Sequence, residues 1–171
     1  MLNVIQAADS KLFLTIFRNH ISSPLSKTAR QISRSADGWL YCLLIPVIIL
    51  FKPDQVNELV LLAATGFAIE RLIYYVLKNA FKRRRPPQFH EEIKSLIIAA
   101  DEFSLPSGHT SAAFFFVTFL CTGISLIFLP LYLWATAVGF SRIILGVHFP
   151  GDIIAGAAIG SMLALFIIQS V

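Results

Sequence analysis

Residues 109–142 read HTSAAFFFVTFLCTGISLIFLPLYLWATAVGFSR, and no charged side chain occurs between His109 and Arg142. Pro130 follows Leu129 at a turn and divides the run into two apolar lengths, roughly 109–128 and 131–146. A bilayer core is crossed by about 20 apolar residues in a helix, so this stretch reads as two membrane spans joined by a tight turn.

Working outward, the same test finds three more spans. A charge-free run from Ile153 to Val171 follows Pro150-Gly151-Asp152 and is long enough to cross once. Val56 to Leu77 is apolar apart from Glu58, Glu70 and Arg71; an adjacent Glu–Arg pair inside a span is costly in hydrocarbon unless the two face the bundle or each other, and a structural lock is the favoured reading. Trp39 to Phe51 is apolar but short, so its span must begin near Ser35 or Ala36, with a kink expected at Pro46. Residues 1–35 alternate Leu2, Phe13, Ile16 and Phe17 with Lys11, Arg18, Lys27, Arg30 and Arg34. None of that region is long enough to span, and it is expected to form one or two amphipathic helices lying in the interface with their cationic side toward headgroups. The expected architecture is an all-α polytopic transmembrane bundle of about five spans, or six if the N-terminal region adds one. Residues 1–35 form the interfacial part and residues 36–171 the bundle core of one membrane-embedded domain.

Composition agrees. The chain has 171 residues, 56% of them hydrophobic and 14% charged, with a mean hydropathy of +0.73, which a soluble domain could not hide. The net charge of +4 could suggest nucleic acid. The basic residues cluster beside apolar spans, however, so membrane lipid is the expected partner and nucleic acid is not. Cys42 and Cys121 lie within apolar segments and read as small hydrophobes, not as a disulfide or metal site. Asp9 and Lys11 interrupt the start too early for a cleaved signal peptide.

Short connections make successive spans alternate in direction. That rule gathers Lys78 to Arg85, Pro106-Ser107-Gly108-His109, Ser141-Arg142 and His148 to Asp152 at one membrane face, while the opposite turns near Pro53 and Pro130 are chemically bland. Arg85 and Arg142 can fork onto an oxyanion, Lys78 adds a point charge, and a helix beginning at Ser107-Gly108 would offer its free N–H groups. Such a cradle fits a phosphate. Asp152, four residues after His148, can hold one ring nitrogen and leave the other free to attack phosphorus, with His109 protonating the leaving oxygen. Each element also has a plain reading: Ser107 as an ordinary helix cap, Lys82-Arg83-Arg84 as a basic rim, Arg142 as a snorkelling side chain, and His20 and His90 as surface residues.

The spacing Lys78-x6-Arg85-Pro86, then Pro106-Ser107-Gly108-His109, then Ser141-Arg142-x5-His148-x3-Asp152 resembles the type 2 phosphatidic acid phosphatase (PAP2) superfamily, whose active site is shared with vanadium haloperoxidases. The resemblance covers about residues 70–160. It implies a metal-independent lipid phosphatase, without cofactor, that works through a phosphohistidine. His148 would be nucleophile, Asp152 its orienting partner and His109 the acid; Lys78, Arg85, Ser107, Gly108 and Arg142 would hold the phosphoryl oxygens. The substrate would be a lipid phosphate of the phosphatidate, phosphatidylglycerol phosphate, polyprenyl diphosphate or lipid A type. Larger members carry six spans, so the interfacial helices here would stand in place of the first. A non-catalytic phospholipid-binding or transport protein using the same cations is the competing expectation, and it could dispense with His148. Positive-inside counting places the site face in the cytoplasm, but several of those cations are explained by phosphate binding. By the resemblance, the expected location is a bacterial inner membrane, crossed several times, with the site on the periplasmic face.

Overall fold

The computed structural model describes residues 2–20, 24–90 and 92–170, with side chains from Gln6 onward except that of His20. The expected surface position of His20 therefore lies outside the described residues. Among the described residues the chain is helical without strands: α1 (Leu2–His20), α2 (Leu25–Ser35), α3 (Leu44–Phe51), α4 (Val56–Phe81), the one-turn α5 (Pro86–Phe89), α6 (Gly108–Phe119), α7 (Leu131–Ile144) and α8 (Pro150–Gln169).

Helices occupy all of the apolar stretches read from the sequence, but their lengths differ from the expected spans. Pro53–Phe89 and Pro150–Gln169 are long and apolar enough to cross a membrane alone; α2 and Trp39–Phe51 make a third crossing if the pair, bent by 51°, is taken as one. Gly108–Ile124 and Leu131–Ile144 are apolar but shorter. The helix expected to reach residue 128 stops because Ser125 is extended, and its hydroxyl caps the following turn at the Ile127 N–H. The break in the first apolar segment is at Gly38, whose φ of +110° suits a residue without a side chain, and not at Pro46. Pro46 lies in the first turn of α3, where its missing N–H costs no helical bond.

The centre is built from α6 packed along α8. A Cβ at Gly156 would lie 2.6 Å from the Ser107 carbonyl oxygen, and one at Gly160 would lie 2.1 Å from that of Ser111. Two glycines four residues apart thus let the helices approach backbone to backbone, as small residues do between membrane helices. Both helices begin at the same end of the molecule, where the Ser107 N–H donates to the Asp152 carbonyl at 3.1 Å. Phe115, Phe119, Leu120, Val138, Ala164 and Ile48 fill the core around this pair. Leu50, Leu61, Leu133, Ile154 and Phe166 stay exposed outside, an apolar exterior that hydrocarbon would cover.

The N-terminal helices pack against protein. Phe13 and Phe17 of α1 are buried with Ile93, Ile143 and Phe149, and Ala29 and Ser33 of α2 are buried in its packing on α7. Phe13 and Phe17 are therefore covered by the bundle and the loops of the site face, while Leu12 stays exposed.

Candidate active site

The end of α4 sets the first group in place. Lys82 takes a left-handed conformation and stops the helix, after which residues 82–85 run without helical structure. Side chains alternate along such a segment: Lys82 and Arg84 are exposed, while Arg83 and Arg85 turn inward. Arg85 donates to the Val147 carbonyl at 2.6 Å and stands 3.4 Å from His148 Nε2. Lys78, one turn before the end of α4, is buried; it pairs with Asp101 and donates to the Phe103 carbonyl at 2.5 Å.

Asp101 organises these cations. It accepts from Lys78, from Arg85 Nη2 at 2.6 Å and from the Tyr74 hydroxyl. Burial alone would raise its pKa, but these three bonds outweigh that and hold it at about 2.

His148 lies in the loop between α7 and α8, almost fully buried. Its Nδ1 stands 3.4 Å from Asp152 Oδ2 and makes no hydrogen bond, so the contact is electrostatic and not the formed bond expected from the spacing. The Asp152 carboxylate also accepts from Arg83 Nη1 at 2.6 Å and from the Phe149 N–H at 2.9 Å. Burial pushes the His148 pKa down to about 3, against the opposing pull of Asp152. The ring is therefore neutral near pH 7. Arg85 can only donate, so Nε2 presents its lone pair and the proton sits on Nδ1, toward Asp152.

The start of α6 supplies the third group. Ser107 occupies the cap position but does not cap: its hydroxyl shares a 2.9 Å bond with that of Thr110. The first-turn N–H groups of α6 thus have no side-chain cap, as an anion-binding helix start requires. Gly108 sits where a Cβ would be 2.6 Å from Tyr74 and 3.2 Å from Arg71 Nη2. His109 Nε2 is 2.8 Å from Asp37 Oδ1, a partner the sequence reading did not assign. Arg142 is buried, donates to Ser33 Oγ at 2.5 Å, and keeps an Nε with no partner.

The structure thus brings together Lys78, Arg85, Ser107, Gly108, His109, Arg142, His148 and Asp152, and adds carboxylates and one cation. Arg83, expected in the basic rim, instead bridges Asp152 and Asp9 and lies 4.5 Å over the Phe149 ring. Asp9 in turn accepts from the Gly151 N–H at 2.8 Å, so α1 belongs to the support of the site. His90 stays outside the cluster, half-buried in its loop. Lys78, Arg83, Arg85 and Arg142 are set against Asp9, Asp37, Asp101 and Asp152, and Arg142 bonds the neutral Ser33 hydroxyl where the other three cations bond carboxylates. No group of three or more His, Cys, Asp or Glu among the described residues could hold a metal ion.

Two cavities reach this cluster through His109. One, of about 380 Å³, is lined by Asp37, Tyr41, Phe67, Arg71 and His109. It shares Tyr41 and Phe67 with an apolar cavity of about 250 Å³ between α3 and α4. Arg71 is held at its rim by paired bonds to the buried Glu70, at 2.7 and 2.9 Å, so the two face each other, and its Nη2 also reaches the Gly108 carbonyl at 3.3 Å. The second cavity lies between α2 and the loop before Asp101.

The PAP2 superfamily matches residues 59–171. A decaprenylphosphoryl-5-phosphoribose phosphatase of Mycobacterium tuberculosis is 31% identical over 139 residues, covering 78% of this chain and 73% of its own. The crystal structure of Aquifex aeolicus LpxE superposes with a TM-score of 0.77 at 29% identity, covering 93% of both chains. A transmembrane PAP2 type phosphatidylglycerolphosphate phosphatase from Bacillus subtilis shares the fold, with a TM-score of 0.75 at 24% identity, covering 98% of this chain and 86% of that one. The motifs, the helical architecture and these likenesses agree: the chain belongs to the PAP2 superfamily of membrane lipid phosphatases and is a phosphoric ester hydrolase of that type.

Proposed function

We propose that this protein hydrolyses the phosphomonoester or diphosphate of a membrane lipid through a phosphohistidine at His148, without a metal ion. The observation that carries the reading is the buried, neutral His148, its Nε2 lone pair beside Arg85 and its Nδ1–H toward Asp152. In the first step Nε2 bonds to phosphorus and the bond to the leaving oxygen breaks, with His109 giving that oxygen its proton. In the second, water attacks phosphorus, passes a proton to His109, and frees His148. Lys78, Arg85 and Arg142, with the N–H groups at Ser107 and Gly108, neutralise the equatorial oxygens. Asp152 stabilises the charge that develops on the imidazole. Asp37 holds the His109 proton until the leaving oxygen takes its place. The apolar cavity between α3 and α4, joined to the His109 cavity, suits the lipid tail.

The protein works as one membrane-embedded domain. Its helices cross a bacterial inner membrane several times, α1 packs on the site face, and that face is periplasmic. The test is phosphate release by the purified protein in detergent with excess EDTA, on a panel of lipid phosphates. Release that survives chelation and disappears in His148→Ala is expected. Binding without turnover by the wild type would instead favour lipid recognition or transport.

A further inference from the structure

Helix α2 lies before the family match, which begins at residue 59, yet it reaches the site. Ala29 and Ser33 are the row it buries. Arg30 and Arg34, each one position further on, therefore share a neighbouring row of the helix. Both line a cavity of about 240 Å³ together with Arg142, His109 and Asp37. Arg30 is steadied by a 2.6 Å bond to the Leu96 carbonyl. Arg142 brings the buried Nε that lacks a partner, and a buried guanidinium nitrogen left unpaired is costly unless a ligand meets it. The carboxylate in the cavity, Asp37, is already engaged with His109. Ile97 and Ile98 form part of the same wall, and Ile98 is almost wholly exposed, so the cavity offers apolar surface beside its guanidiniums.

We infer that Arg30 and Arg34, with Arg142, bind a second phosphate on the leaving group, so that the substrate class is a lipid diphosphate in preference to a lipid monophosphate. The inference rests on the phosphatase reading given above. If His109 protonates the bridging oxygen, whatever lies beyond that oxygen enters one of the two cavities that His109 lines. One holds Arg30, Arg34 and Arg142, the other only Arg71, which is already paired with Glu70. With a diphosphate, Nε2 of His148 bonds to the terminal phosphorus, the bridging P–O bond breaks, and the lipid monophosphate departs with its negative charge opposite Arg30 and Arg34. Guanidiniums fork onto such oxygens, and the gain grows as charge builds on the departing phosphate.

The experiment uses the full-length protein in nonionic micelles containing no other lipid, with farnesyl diphosphate and farnesyl phosphate as probes, which share one tail. The readout is the ratio of kcat/KM for diphosphate to that for monophosphate. The wild type is expected to favour the diphosphate, and Arg34→Gln to lower the ratio roughly tenfold, as loss of a charge-assisted bond does. Arg34 is exposed, so folding is not at stake. Arg34→Lys should restore part of the ratio. Lys27→Gln removes an equal charge from the same helix outside the cavity and should leave the ratio at its wild-type value. A ratio unmoved by Arg34→Gln, or moved as far by Lys27→Gln, would overturn the second-phosphate site while leaving the phosphatase reading intact. Activity on both probes that persists in His148→Ala would instead bring down the phosphohistidine mechanism at His148, and this inference with it.

Discussion

Arg83 shows what a motif leaves unsaid. Lys82, Arg83 and Arg84 are three cations in a row, and composition gives no reason to separate them. The separation comes from the backbone: once α4 ends at Lys82, residues 83 and 85 fall on one side of an extended segment and 82 and 84 on the other. That alternation was the available signal, since Arg85 was already placed in the site. Asp37, Asp101 and Asp9 were not legible at all, because each meets its partner across the fold and no local spacing marks it. By contrast Lys78, Arg85, His109, Arg142, His148 and Asp152 were legible because short motifs fix their order and helix direction fixes their face. If Arg83 orients Asp152, Arg83→Met should lower kcat about tenfold or more with KM little changed, since a buried carboxylate loses a charged partner; Arg83→Lys should recover part of kcat. Steady-state kinetics on one lipid phosphate decide it. Acid should act on the fold through His148. Its folded pKa of about 3 lies below the ordinary 6.5, so between those values the unfolded chain binds more protons than the folded one. The stability is fully present above about pH 6.5 and is lost as pH falls through the window. Asp101, held at about 2 against an ordinary 3.8, adds a further loss below that value. Thermal midpoints in detergent from about pH 7 to 4 should fall steadily, and His148→Asn should flatten the slope.

At the scale of elements, the site depends on two helices that start side by side. Gly156 and Gly160 allow this, and neither stood out in the sequence, where α8 reads simply as an apolar run with small residues. The span limits were misjudged for a related reason: hydropathy does not register the backbone change at Ser125 or at Gly38, where a polar hydroxyl and a positive φ end regular helix inside an apolar stretch. Gly160→Ala should destabilise the protein by about 1–3 kcal/mol, because its Cβ would meet backbone that cannot move aside. Activity should fall with it as the starts of α6 and α8 separate. Gly123→Ala is the contrast, since there the Cβ would meet the flexible end of the Ile168 side chain at 2.7 Å. A smaller shift in thermal midpoint is expected for Gly123→Ala, and equal shifts would contradict the close-packing argument.

Across the whole molecule, the two N-terminal helices turn out to serve the site. Its amphipathic pattern was readable, but a pattern of that kind fits lipid and protein equally well, and only packing shows that Phe13 meets Phe149 edge-on at 5.5 Å. Through α1 run the contacts of Gln6 and Asp9 to Arg83, and through α2 the bond of Ser33 to Arg142. Phe13→Ala should therefore cost about 3–5 kcal/mol, as large-to-small changes in a core do, and should lower turnover as well, although the residue is remote from phosphorus. A thermal shift with unchanged turnover would mean that α1 only stabilises the bundle. The central claim is that His148 carries the phosphoryl group. The most direct measurement is rapid acid-free quenching of a reaction with lipid labelled in its scissile phosphate, followed by peptide mapping of the protein-bound label. The account predicts an acid-labile, alkali-stable adduct on the peptide containing His148, absent in His148→Ala. Label on His109, or steady turnover with no protein-bound phosphate at any quench time, would contradict it.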